Sequence, residues 1–133
     1  GVRGFNYPWY RDYLKDIGIK QYTAYDVHKG DPEKIADETL ERLSGCDKIY
    51  LTFDIDALDP GYAAGTGTPQ FGGITPRMAL TLLEKIFSEL NVIGFDIVEV
   101  APSLDPSLTA MFAARKLLTE MWGHWAEEMG KLK

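Results

Sequence analysis

Asp54, Asp56 and Asp59 fall within six residues of one another in Ile49-Tyr50-Leu51-Thr52-Phe53-Asp54-Ile55-Asp56-Ala57-Leu58-Asp59-Pro60. The first two close an apolar, β-prone run. While the backbone stays extended, alternate side chains face the same way, so Asp54 and Asp56 are expected to converge. Like charges held together in a partly buried place repel and become costly to ionise. A divalent cation removes that cost, and an all-oxygen pair suits a hard or borderline ion such as Mg²⁺ or Mn²⁺. An ordinary reading stands beside this one, with Asp54 a solvated strand end and Asp56 or Asp59 a cap on the turn at Pro60-Gly61. For a bare Asp-x-Asp the ordinary reading is the favoured one, because such pairs are frequent.

Other residues that could do chemistry carry less. An apolar strand followed by Asp-x-Asp also suits phosphatases with an aspartyl nucleophile, but that motif continues with Thr two residues after its second Asp, and Leu58 stands there. Gly65-Thr66-Gly67-Thr68 lacks the Lys and the helix-entry spacing of a phosphate loop and reads as a shaped site loop. His28 sits before Lys29-Gly30 in an expected turn, and His124 lies between Trp122 and Trp125 on the last helix. Both histidines read as surface or packing residues. Trp122 and Trp125, on a helix with Leu118 and Met121, read as core or subunit contact. Cys46 is the only cysteine, which excludes an internal disulfide and a thiolate metal cluster.

Positioning such residues calls for alternating strands and helices. Trp9 to Lys15 predicts a short helical turn before Gly18, and the aromatic alternation of Tyr22 to Val27 predicts a strand. Asp31-Pro32-Glu33 supplies an N-cap with Pro in the first turn, and Gly45 a stop, with Ile35, Ala36, Leu40 and Leu43 as the buried stripe. Lys48 to Phe53 predicts a strand of a parallel sheet. Thr75-Pro76 repeats the cap, opening a helix to about Leu90 lined by Met78, Leu82, Leu83, Ile86 and Phe87. Val92 to Val100 predicts a strand closed by Pro102. A last helix is expected from Asp105-Pro106-Ser107 towards Met129, burying Leu108, Met111, Phe112, Leu118, Met121, Trp122 and Trp125. The order β, α, β, α, β, α predicts a parallel sheet with helices on its faces, in which ligands bind beyond the carboxyl ends of the strands.

At 133 residues, with 45% hydrophobic and 12% aromatic content, the chain has the composition of one folded unit. A net charge of −6 argues against a nucleic-acid partner, which needs a concentrated Lys/Arg face, and suits a metal or a small cation better. No apolar run approaches the ~20 residues that span a bilayer, so no membrane partner is expected, and the cysteine usage points to the cytoplasm. Gly1-Val2-Arg3-Gly4-Phe5 opens like the end of a strand without an initiator Met, from which a preceding segment is expected.

The longer context of the aspartates narrows the chemistry. The run Thr52-Phe53-Asp54-Ile55-Asp56-Ala57-Leu58-Asp59-Pro60-Gly61-Tyr62-Ala63-Ala64-Gly65-Thr66-Gly67-Thr68-Pro69, followed by Gly72-Gly73-Ile74-Thr75, resembles the signature of the ureohydrolases, the family of arginase, agmatinase and formimidoylglutamase. Ala64 departs from it where many members have Pro, a matter of loop stiffness. Val92-Ile93-Gly94-Phe95-Asp96-Ile97-Val98-Glu99-Val100-Ala101-Pro102 resembles a second family strand, its Ala-Pro ending closer to agmatinase-like members than to arginases.

The resemblance implies a three-layer α/β/α, arginase-like fold with a parallel sheet, of which residues 1–133 form the carboxyl-terminal part of a single domain. By matching positions, Asp54 and Asp56 resemble aspartates that hold a pair of Mn²⁺ ions, and Glu99 the catalytic carboxylate that pairs with the substrate guanidinium. Thr68 matches a residue lining the substrate, Asp59 and Asp96 groups that support the ligands from behind. Two-metal activation of water, attacking the guanidinium carbon to release urea and an amine, is the implied reaction, with agmatine to putrescine the implied case. The family's other ligands, from Gly-Gly-Asp-His-like and Asp-Ala-His-x-Asp-like segments, have no match here. Two aspartates fill few of the roughly ten to twelve positions two such cations need. A missing amino-terminal half or a partner chain is therefore expected, with a homo-oligomeric whole. A non-catalytic scaffold piece is the alternative.

Overall fold

A computed structural model describes residues 2–4 and 7–130. Three helices come first: α1 (Pro8–Asp16), α2 (Ala24–Lys29) and α3 (Pro32–Leu43). Pro8 and Pro32 each occupy the first helical turn, where a missing N–H costs nothing, and the Asp31 carboxylate accepts the Glu33 N–H at 3.0 Å.

Tyr22 to Val27 forms no strand. Thr23 and Asp26 cap each other reciprocally: Thr23 Oγ1 accepts the Asp26 N–H at 3.1 Å, and Asp26 Oδ2 accepts the Thr23 N–H at 2.8 Å. That closed pair starts α2, and the local cap outweighs the aromatic alternation. The expected opening strand is reduced to a single parallel bridge between Val2 and Thr23, and Gly1 and Phe5 lie outside the described residues.

Strands β1 (Ile49–Asp54) and β2 (Val92–Val98) lie side by side and parallel, joined through α4 (Pro76–Glu89). Thr75 caps α4 by accepting the Met78 N–H at 3.2 Å. Among the described residues these two strands make the whole sheet, so the anticipated strand-helix alternation reads α, α, α, β, α, β, α instead. One side of the pair turns Leu51, Phe53, Phe95 and Ile97 into a core shared with Leu83 and Phe87 of α4. Phe95 meets the rings of Phe87 and Trp125 edge to face, at 5.7 Å in each case, and His124 packs near Phe87. The other side of β1 presents Tyr50, Thr52 and Asp54.

The last helix, α5 (Thr109–Glu128), starts four residues later than Asp105. Pro102–Leu104 is a 3₁₀ turn, and Leu108 adopts a left-handed conformation, φ 59°, before the helix begins. The buried face also differs from the expected stripe, with Met121 common to both. Ala110, Leu117 and Met121 are buried, whereas Leu108, Met111, Phe112 and Trp122, expected in the core, are exposed.

Candidate active site

Asp54 ends β1, in register with Val98 at the end of β2. Glu99 immediately follows that strand, so both carboxylates spring from the same rim of the sheet. The backbone does not stay extended after Asp54. It turns into a 3₁₀ helix over Ile55–Ala57, with Ile55 buried beneath, and Asp54 Oδ1 accepts the Asp56 N–H at 2.8 Å. The strand-alternation argument for convergence therefore fails. Asp54 and Asp56 are neighbours because the first caps the turn that carries the second.

The loop that follows folds back over this turn. The hydroxyls of Thr66 and Thr68 both donate to Asp56, one to each carboxylate oxygen, the second at 2.6 Å. Thr66 is buried. A Cβ placed on Gly67, between them, would stand 3.8 Å from Glu99 Oε2, so the same four-residue loop that holds Asp56 passes close to the glutamate. Glu99 itself has φ 64°. That left-handed conformation costs a non-glycine residue roughly 1–2 kcal/mol, and such costs gather where a side chain's direction matters.

Asp59 is tied to backbone, not to the other carboxylates. It accepts the N–H groups of Gly61 (2.9 Å), Gly72 (2.8 Å) and Gly73 (3.2 Å), and the Gly61 bond is the main reason its carboxyl titrates below the ordinary range. Gly73 has no room for a side chain: a Cβ there would lie 2.4 Å from the Asp59 nitrogen. Asp96 accepts the hydroxyls of Thr52 (2.6 Å) and Tyr50 (2.7 Å), the former chiefly lowering its pKa, and so braces the face of β1 that ends in Asp54.

Two contributors escaped the sequence. His28 lies in the last turn of α2, not in a loop, and its Nε2 is 2.8 Å from the Gly73 carbonyl. A carbonyl only accepts, so that nitrogen carries the proton. Arg3 donates through Nε and Nη2 to the Gln70 carbonyl, at 2.9 and 2.6 Å, and with Val2, Gly4, Asp56, Thr68 and Gln70 it lines a shallow cavity of about 170 Å³. Neither residue has a local signal, because each partner is more than forty positions away.

The paired aspartates suit part of a hard cation's oxygen shell. Asp56 spends one lone pair of each oxygen on a threonine and Asp54 one on a backbone N–H, which orients both carboxylates and leaves lone pairs free. Among the described residues no third His, Cys, Asp or Glu joins them in a ligand cluster. The donors fit such an ion but do not complete its shell.

Fold and carboxylates together define an α/β chain that carries Asp54, Asp56 and Glu99 at the carboxyl rim of a parallel strand pair. Comparison with known proteins narrows this: the arginase family matches residues 1–123, and the chain belongs to that family. It is 44% identical over 116 residues to an agmatinase of Cronobacter sakazakii, covering 79% of this chain and 37% of the relative. It is 39% identical over 95 residues to an arginase of Bacillus subtilis, covering 71% and 32%. Among solved structures, a hypothetical agmatinase of Burkholderia thailandensis superposes with a TM-score of 0.83 at 37% identity over 98% of this chain and 38% of the other. Proclavaminate amidinohydrolase of Streptomyces clavuligerus does so with 0.85 at 34%, over 95% and 42%. The α/β arginase-like fold is thus shown, and the chain spans about a third of the length of the curated relatives it matches.

Proposed function

We propose that the protein carrying this chain hydrolyses a small guanidino compound to urea and an amine, with agmatine, giving putrescine, as the first substrate to try. The observation that carries the reading is the Gly65–Thr68 loop, which holds Asp56 through two hydroxyls while passing against the Glu99 carboxylate. A planar guanidinium presents paired N–H donors, and a carboxylate accepts two of them in parallel. Glu99 would orient the cation so that its central carbon faces the Asp54 and Asp56 side. Its exposed, left-handed position aims it outward from the strand end rather than into the core.

Asp54 and Asp56 would hold divalent cations, Mn²⁺ in the family resemblance, with further ligands from outside the described residues. Such ions, when bound, lower the pKa of water and act as Lewis acids. The threonines keep Asp56 oriented, and Asp96 steadies the strand end beneath Asp54. Asp59 fixes the glycine turn on which the loop returns. Taken alone, the 133-residue chain is proposed to be a non-catalytic part of the site, working as a section of a larger cytoplasmic homo-oligomer. An Asp-x-Asp phosphatase finds no support: Leu58, at the position its motif gives to Thr, is fully buried.

Urea release from agmatine, arginine and related guanidino compounds by the intact protein, with and without Mn²⁺, tests the reading. Glu99→Gln should lower kcat/KM by about 10²-fold, since it removes the charge facing the guanidinium. Full activity in Glu99→Gln, or metal-dependent phosphate release instead of urea, would refute it.

A further inference from the structure

Outside the carboxylates just described stands Asp105. Among the described residues the buried polar side chains are Thr66 and Asp105, each 3% exposed, and both belong to one small assembly. Asp105 accepts the N–H groups of Ser107 and Ala110, each at 3.0 Å, and the hydroxyls of Ser107 and Thr109. The N-cap of α5, Leu108, makes no side-chain cap of its own and sits at φ 59°. The buried carboxylate three residues earlier therefore shapes the first turn of a 20-residue helix.

That turn presses on the site loop. A Cβ at Gly65 would meet Asp105 Cβ at 2.7 Å and Ala110 Cβ at 2.9 Å, so the glycine backbone rests directly on both residues. These are short, stiff atoms rather than the far ends of flexible side chains. The Gly65 carbonyl in turn accepts the Ala101 N–H at 2.8 Å, two residues after Glu99. One residue on, buried Thr66 donates to Asp56. Gly65 thus links Asp105 to both functional carboxylates, beside the backbone turn in which the Asp105 N–H donates to the Pro102 carbonyl at 3.2 Å.

We propose that Asp105 is a positioning residue: by fixing the first turn of α5 against Gly65 it sets the seat of the Gly65–Thr68 loop, and with it the placement of Asp56 relative to Glu99. For its activity readout this rests on the guanidino-hydrolysing reading of those carboxylates. A plain helix cap would stabilise α5 without affecting the loop, so the two roles separate.

The test is Asp105→Asn in the intact protein, with Thr109→Val as a milder variant that removes one of the hydrogen bonds and Leu83→Ala as a core control in α4. Amide hydrogen exchange at Thr66 and Ala101 should accelerate about 10-fold or more in Asp105→Asn and less in Thr109→Val, with the α4 amides unchanged. The kcat for urea release should fall at least about 10-fold beyond that of Leu83→Ala compared at equal loss of Tm. Gly65→Ala, which disturbs the same contact from the loop side, should give the same pair of changes. Unaltered exchange at Thr66 and Ala101 in both Asp105→Asn and Thr109→Val would overturn the proposal, as would an activity loss no greater than that of the matched control. If the unaltered protein releases no urea, the functional reading fails separately, and the exchange pattern alone decides the role of Asp105.

Discussion

Glu99 shows how a single residue can trade stability for direction. Its φ of 64° is cheap for glycine, so Glu99→Gly should leave the protein as stable as before, or more stable by less than about 1 kcal/mol, while abolishing urea release. Chemical denaturation beside a urea assay checks this; a clear loss of stability in Glu99→Gly would mean the left-handed backbone is not strained. Asp105 makes a complementary case in pH. Its bonds from the Ser107 hydroxyl first, then the Ala110 N–H, hold its carboxyl down to about 2. The folded pKa lies below the unfolded value of about 3.9, so its stabilising effect is complete above pH ~4 and fades as pH falls towards 2. Over that window Asp105→Asn should show a shallower fall of Tm than the unaltered protein. An identical acid profile would remove the carboxylate from the account. The sequence made Asp54, Asp56 and Glu99 visible through the resemblance of their surroundings. It mistook Asp105 for an ordinary helix start, because the contact with Gly65 that sets it apart comes from forty positions earlier.

At the scale of elements, caps and close approaches decide what forms. Pro32 and Pro76 announced α3 and α4, since proline in a first turn is a local signal that packing need not supply. The apolar runs of β1 and β2 were legible for the same reason. Helix α2 was not, although Thr23-x-x-Asp26 is itself a local cap; the aromatic alternation across it resembled a strand. Thr23→Ala should therefore cost about 1 kcal/mol and loosen α2, seen as faster exchange of its amides. An unchanged helix would mean that burial of Ala24 and Val27 suffices. The return of the site loop depends on Gly73, bonded by Asp59 and His28 and with no space for a Cβ. Gly73→Ala should destabilise by about 1–3 kcal/mol, because the atoms it meets are backbone and cannot swing aside. Wild-type stability in that variant would show the turn to be looser than described.

Over the whole molecule, the open surface is the main feature. Among the described residues β1 and β2 each have an unpaired edge, and a two-stranded sheet is a marginal structure by itself. Tyr7, Trp9, Tyr13, Phe112 and Trp122 are more than half exposed, a large apolar share for a chain of this size. The 133-residue chain purified alone should self-associate or bind a hydrophobic dye, checked by light scattering and dye fluorescence, and a clean monomer without dye binding would contradict this. None of this surface could be read from composition, because 45% hydrophobic content is the same whether the residues lie inside or out.

Asp54 and Asp56 are proposed to hold divalent cations beside Glu99, at the rim where β1 and β2 end. Crystals of the intact protein grown with Mn²⁺, measured at the manganese absorption edge, address this directly. The expected result is anomalous density against both aspartate carboxylates, on the side facing Glu99. Density elsewhere in the molecule, or none with Mn²⁺ in excess, would contradict the account.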